Sequence, residues 1–119
     1  MEDKQIKLDI EEVEGRPDTR IIKFDGDLDS TNVEKTLETI TGLFHDGVVN
    51  LVADFRNLRY VNSTGLGILL HISKTAKEGN GLFKIAEVNE NVYEIIEIIG
   101  ANTLLDIYDN VDDALKSLD

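Results

Sequence analysis

Asn62-Ser63-Thr64-Gly65-Leu66-Gly67 is the stretch of this sequence whose residue types and spacing are least ordinary. A serine where a helix opens can cap it, its hydroxyl accepting a bond from an unpaired N–H of the first turn. Glycine inside a helix costs about 1 kcal/mol relative to alanine. Two of them so near a helix start therefore require something to come close to that backbone, either a neighbouring strand or a partner. The plainer alternative is that Ser63 is only a cap and the glycines only permit packing. Spacing alone leaves both readings open.

Other candidate chemistry is thin. Ser63, His71 and Asp54 are the residue types of a nucleophilic triad, but no Gly-x-Ser-x-Gly elbow surrounds the serine. His71 falls about two turns along the same helix, too far to bond the Ser63 hydroxyl. His45 and His71 are the two histidines, on different helices and without a further ligand at helical spacing, so no metal site is expected. Asp27 and Asp29 could meet a cation, but more simply form a solvated acidic loop. Neither a Gly-x-x-x-x-Gly-Lys-Ser/Thr loop nor a Gly-x-Gly-x-x-Gly turn is present. The expectation is a protein that is not an enzyme and carries no cofactor.

The elements that position these residues follow from hydrophobic period. Ile6, Leu8 and Ile10 alternate with charged residues, as in a strand with one buried face. Gly15-Arg16-Pro17-Asp18 is a turn, and a second strand runs from about Thr19 to Asp25, making a hairpin. Val33, Leu37, Ile40 and Phe44 form a helical stripe, with Thr31 and Glu34 as a capping box. Val48 to Phe55 reads as a central strand, Arg56 to Asn62 as a polar loop, and Ser63 to Glu78 as a second helix. Leu82 to Val88 is a strand, and Val92 to Ile99 lie on a third helix closed by Gly100. Leu104 to Tyr108 is a last strand, and Asn110 caps a final helix. The order β-β-α-β-α-β-α-β-α predicts a single α/β domain over 1–119, with a mostly parallel, mixed sheet of about five strands and four helices.

Parallel second, third and fourth strands would open their following loops at one end of the sheet. Asp27 and Asp29, Asn62 and Ser63, and Asn89 to Asn91 should then converge. On the second helix, Ile68, Leu69, Ile72 and Ala76 gather toward the sheet, while Leu66 and Leu70 point to the flank beside Lys74 and Lys77. Those two leucines form either an exposed apolar ridge for a protein contact or a pair covered by a neighbouring helix.

Composition excludes several classes. The formal net charge is −12, with 24 acidic and 12 basic residues, which counts against nucleic acid and anionic membrane surfaces. No apolar run approaches the roughly 20 residues of a membrane span. Met1-Glu2-Asp3-Lys4 lacks the profile of a signal peptide, and the chain has no cysteine. The expected location is the cytoplasm.

The segment Val61-Asn62-Ser63-Thr64-Gly65-Leu66-Gly67 resembles the signature of the STAS domains, specifically the anti-sigma factor antagonists. Gly26-Asp27-Leu28-Asp29 is similar to that family's Gly-x-Leu-Asp element, and Ile107-Tyr108 with Asp112-Asp113-Ala114-Leu115 to its entry into the last helix. The similarity runs from about Thr19 to Leu118. It implies partner switching, in which the unmodified antagonist binds a serine-kinase anti-sigma factor that then releases its sigma factor. The kinase phosphorylates the helix-opening serine, the complex dissociates, and a phosphatase of the PP2C type resets it. By position, Ser63 would be the phosphoacceptor. Asp27, Asp29, Asn62, Ser63, Thr64, Gly65, Leu66, Gly67 and Leu70 would form the partner surface. One residue departs from the family pattern: an aspartate usually precedes the serine, where this chain has Asn62. The alternatives are a STAS subunit of another regulatory or transport complex, or a domain binding a small ligand or nucleotide.

Overall fold

The structure, a computed structural model, describes residues 6–119. The N-terminal residues read above for a signal peptide lie outside the described residues. Five strands and four helices follow the expected order: β1 Lys7–Val13, β2 Arg16–Leu28, α1 Val33–His45, β3 Asn50–Val61, α2 Ser63–Glu78, β4 Phe83–Ala86, α3 Glu90–Ile99, a 3-10 turn Ala101–Thr103, β5 Asp106–Tyr108 and α4 Val111–Lys116. The sheet is mixed. β1 pairs antiparallel with β2, and β2, β3, β4 and β5 are parallel to their neighbours.

Spatial order equals chain order, β1-β2-β3-β4-β5, without a reversal. A chain that always steps the same way with crossovers of one hand lays every crossover helix on the same face. Residues of α1, α2 and α3 accordingly share one core with alternate strand residues, including Ile22, Leu51, Ala53, Phe55 and Ile85. Phe24 and Phe55 meet edge to face within it, ring centroids 5.0 Å apart. The opposite face holds a smaller cluster in which α4 supplies Ala114 over Val52 and Ala86. A helix of six residues cannot cover that face. The remainder carries charge, such as the Lys23–Glu11 pair at 3.0 Å between the first two strands.

Strand ends depart from the sequence reading. β2 continues through Gly26-Asp27-Leu28, and β3 continues through the predicted loop to Val61. The two keep pairing to Leu28↔Val61, with register shifts at Lys23/Asp25 and Gly26/Asp27. Each shift sets one extra residue of β3 against β2, as a bulge does, and Gly26 beside the second shift adopts φ 121. Bulges break the two-residue period, and the outward residues Arg56, Asn57, Arg59 and Tyr60 are exposed, so polarity there resembles a loop. The capping box at Thr31 and Glu34 does not form. The N-cap of α1 is Asn32, without a side-chain cap bond, and Thr31 instead donates its N–H and hydroxyl to Asp29 Oδ1 at 2.9 and 2.5 Å. A carboxylate two residues earlier out-competes the helix for that threonine.

Candidate functional site

The loop after β2 and the opening of α2 are fastened to each other. Asn62 N–H donates to the Leu28 carbonyl at 3.2 Å, and Asn62 Nδ2 donates to Ser30 Oγ at 3.2 Å. Asn32 closes the loop internally, its Nδ2 donating to the Asp27 carbonyl at 2.7 Å and its Oδ1 accepting from Asp29 N–H at 3.0 Å. The Asp27 carboxylate lies 3.5 Å from Arg59 Nε of β3, so part of its charge is offset. The first two predicted loops thus meet. The third joins further back along β3, where Asn89 Nδ2 donates to the Leu58 carbonyl at 2.6 Å while its Oδ1 caps α3 at Val92 N–H.

At the mouth of α2 the cap is Asn62 and not Ser63. Asn62 Oδ1 accepts from Gly65 N–H at 2.8 Å. Ser63 is the first helical residue, and its side chain is exposed, as is Thr64. Sequence reasoning placed the cap one residue late because serine and asparagine are about equally good caps, and both stand at the boundary. The residue that departs from the family pattern is therefore a mechanical joint. Its oxygen caps the helix while its amide nitrogen holds the neighbouring loop.

The two glycines have different causes. A Cβ on Gly65 would sit 2.6 Å from the Leu28 carbonyl oxygen and 2.8 Å from Val61 Cγ2, so this glycine lets α2 press against the end of β2. Gly67 is exposed, and a Cβ there would meet nothing within 4 Å. Its cost to the helix has no internal return.

Leu66 corrects the ridge. It is 1 % exposed and belongs to the core, as does Leu69, while Ile68 and Leu70 are partly buried against it. The buried side of α2 is Gly65, Leu66, Leu69, Ile72, Ser73 and Ala76. It is turned toward Leu66 relative to the wheel reading because α2 packs on α1 as well as on the sheet. Gly65 and Leu66 are therefore internal. Asn62, Ser63, Thr64 and Gly67 form the surface, with Asp27 at the end of β2 and Asp29 on the loop that follows it. Leu70 lies about 10 Å further along the helix axis, in a groove with Leu104.

Nothing assembles the residues of the nucleophilic triad. Asp54 points to the α4 face, its Oδ1 accepting from Arg56 N–H at 2.9 Å, whereas Ser63 and His71 are exposed on the helix of the other layer. Among the described residues no group of three or more His, Cys, Asp or Glu is placed to hold a metal ion. No helix of the described residues is long and apolar enough to cross a membrane.

Three comparisons fit this arrangement. An anti-sigma F factor antagonist of Paenibacillus polymyxa is 26% identical over 109 residues, 91% of this chain and 93% of that protein. An anti-sigma factor antagonist from Mycobacterium paratuberculosis shares the fold at a TM-score of 0.82 and 21% identity, covering 95% of this chain and 93% of that one. The Bacillus cell fate determinant SpoIIAA, solved in its phosphorylated form, shares it at 0.70 and 18% identity, covering 95% of this chain and all (100%) of that one. The sequence profile of the STAS domain matches residues 11–114. Strand order, helix layer and profile agree, and the chain belongs to the STAS domain family.

Proposed function

We propose that this chain is an anti-sigma factor antagonist: a regulatory binding protein, not an enzyme, whose partner contact is switched by phosphorylation of Ser63. The observation that carries the reading is the division of labour at the mouth of α2. Asn62 holds the cap, so the exposed Ser63 hydroxyl is left for other chemistry. Gly67, exposed and without an internal reason, keeps the next turn low for a close-fitting partner. Relatives named as antagonists of anti-sigma factors supply the partner class, and a phosphorylated SpoIIAA supplies the precedent for the modification.

The partner is a serine-kinase anti-sigma factor, met by Ser63, Thr64, Gly67, Asp27 at the end of β2 and Asp29 on the following loop. Gly65 and Leu66 shape that surface from beneath. A phosphoryl group on Ser63 adds roughly −1.5 to −2 charge at neutral pH. Beside an acidic loop, a dianion resists burial in a close interface, so the complex opens. A PP2C-type phosphatase restores the hydroxyl. An exchange driven by ATP belongs in the cytoplasm.

An unreversed sheet also argues against a ligand crevice. Open α/β sheets bind nucleotides where strand order reverses, and this order never does. The test is incubation with ATP and the serine-kinase anti-sigma factor of the same genome, with the modified residue mapped by mass spectrometry. Ser63→Ala should keep the complex and lose the label. Label persisting in that variant, or no complex with wild type, overturns the proposal.

A further inference from the structure

We infer that the groove between the second half of α2 and the segment after α3 is a second docking surface, fitted to an amphipathic helix with an acidic flank. Ile98, Ile99 and Leu104 are 77%, 50% and 62% exposed, a run of large aliphatic side chains at the end of α3 and just beyond it. Leu104 also forms one wall of a groove of about 520 Å³, with Leu70, Ser73, Lys74, Lys77 and Glu78 from α2 as the other. A large exposed apolar side chain that walls a groove marks a contact surface more than an isolated one does, and of the three Leu104 is the one that lines it.

Charge indicates what fits. The chain carries a net −12, yet two lysines line this groove against one acid. Among the described residues neither lysine has an ion-pair partner, whereas Lys23, Arg56, Arg59 and Lys84 do. An apolar floor with a cationic rim complements an apolar stripe edged by carboxylates. Leu70, Ser73, Lys74 and Lys77 stand at i, i+3, i+4 and i+7, a straight row along one helix. Such a row packs against another helix laid beside it. The segment Leu70–Glu78 rises about 12 Å, room for two turns of a partner.

The groove is distant from the mouth of α2. From Ser63 the helix rises roughly 10 Å to Leu70 at the near end of the groove and roughly 21 Å to Lys77. A two-turn helix confined to Leu70–Glu78 stops short of Ser63, so the two surfaces are separate. This inference does not depend on the phosphorylation reading.

The test uses two synthetic helical peptides of about four turns. Both carry leucines at i, i+3, i+4 and i+7, one flanked by glutamates and the other by lysines. In amide NMR titrations the glutamate peptide should shift residues 70–78 and 103–105, and the lysine peptide should bind at least about tenfold more weakly. Leu104→Asp and the double change Lys74→Glu with Lys77→Glu should each weaken the glutamate peptide by a similar factor, the first with its unfolding midpoint unchanged and the second with a slightly lower one, since Lys77 stands in the last turn of α2. Ser63→Asp should leave it bound. Equal affinity for the two peptides, shifts centred on residues 62–67, or no shifts at all would overturn the inference. So would sedimentation showing a dimer of this chain that Leu104→Asp dissolves, since a second copy would then be the occupant.

Discussion

Alanine placed at Gly65 and at Gly67 should change stability in opposite directions, although the sites are two residues apart on one helix. At Gly65 the new methyl would lie 2.6 Å from the Leu28 carbonyl oxygen, 2.8 Å from Val61 Cγ2 and 3.1 Å from Leu28 Cγ. The carbonyl cannot recede: it accepts the Asn62 N–H, and Leu28 and Val61 are register partners in the sheet. Helix α2 must lift instead. Overpacking of this kind costs about 1–3 kcal/mol. Lifting also stretches the cap bond from Gly65 N–H to Asn62 Oδ1, worth about 1 kcal/mol. Alanine's better helix propensity returns up to about 1 kcal/mol. The net expectation is a loss of roughly 1–3 kcal/mol. At Gly67 no atom lies within 4 Å of the new methyl, so only the propensity acts. That variant should gain about 0.5–1 kcal/mol. Gly42 in α1, equally open, is the control and should gain comparably. Urea unfolding with an unchanged slope measures all three. Gly65→Ala as stable as wild type, or Gly67→Ala less stable, would refute the account of how α2 sits on β2. If Gly67→Ala gains stability and weakens the anti-sigma factor complex while Gly42→Ala does not, the exposed glycine serves the partner.

Asn62→Ala removes the α2 cap and the tie to Ser30 together; it should lose about 1–2 kcal/mol in urea unfolding, and a loss near zero would mean another residue caps the helix. Gly81→Ala should prevent folding or cost several kcal/mol by circular dichroism melting, roughly at or beyond the top of the overpacking range, because its Cβ would sit 1.7 Å from the Val49 carbonyl oxygen. On the α4 face, the nearby Ser117 hydroxyl and the bond from the Lys84 ammonium lower the Tyr108 pKa below 10.0. Burial works to lower the Lys84 pKa, but its bonds to Tyr108 and Asp106 outweigh this and hold it above 10.5. The depressed Tyr108 adds its stability in full above 10.0 and loses it as pH falls through the folded value, so it contributes nothing at neutrality; the Lys84 part is complete below 10.5 and lost as pH rises through its raised value. Tyrosinate absorbance should therefore show an early component, below 10.0, that disappears in Tyr108→Phe; an unchanged curve would remove the Lys84–Tyr108–Ser117 cluster.

Element order was legible because helices and buried strands announce themselves by period. Val33, Leu37, Ile40 and Phe44 put α1 where it is found, and asparagine at 110 caps α4 as read, accepting from Asp113 N–H at 2.8 Å. The ends of β2 and β3 were hidden by bulges and by outward-facing Arg56, Asn57, Arg59 and Tyr60, which make paired strand look like loop. Of the two readings of Leu66 the covered one holds: a helical wheel with one buried direction puts it on the flank, whereas α2 faces the sheet and α1 at once. The cap was off by one residue, since asparagine and serine at a helix boundary carry the same signal. Spacing could not separate Gly65 from Gly67 either, because the difference lies in a carbonyl of a strand thirty-seven residues earlier.

The same geometry explains why charge at Ser63 can alter a contact and spare the fold. Ser63 is exposed, contributes nothing to the cap, and stands at the first position of a helix whose first turn holds no acidic residue. Free N–H groups and the helix dipole there favour an anion by about 0.3–1 kcal/mol, screened by salt. Asp27 opposes this only in part, since Arg59 lies against it. Ser63→Asp should thus unfold at the same urea concentration as wild type or slightly higher, with the gain fading in salt. In the same variant, affinity for the anti-sigma factor should fall, because a carboxylate in a close interface must be desolvated without a partner. A variant that binds normally and unfolds early would invert the argument: the charge would then act on the fold, and the mouth of α2 would be a structural joint instead of a contact surface.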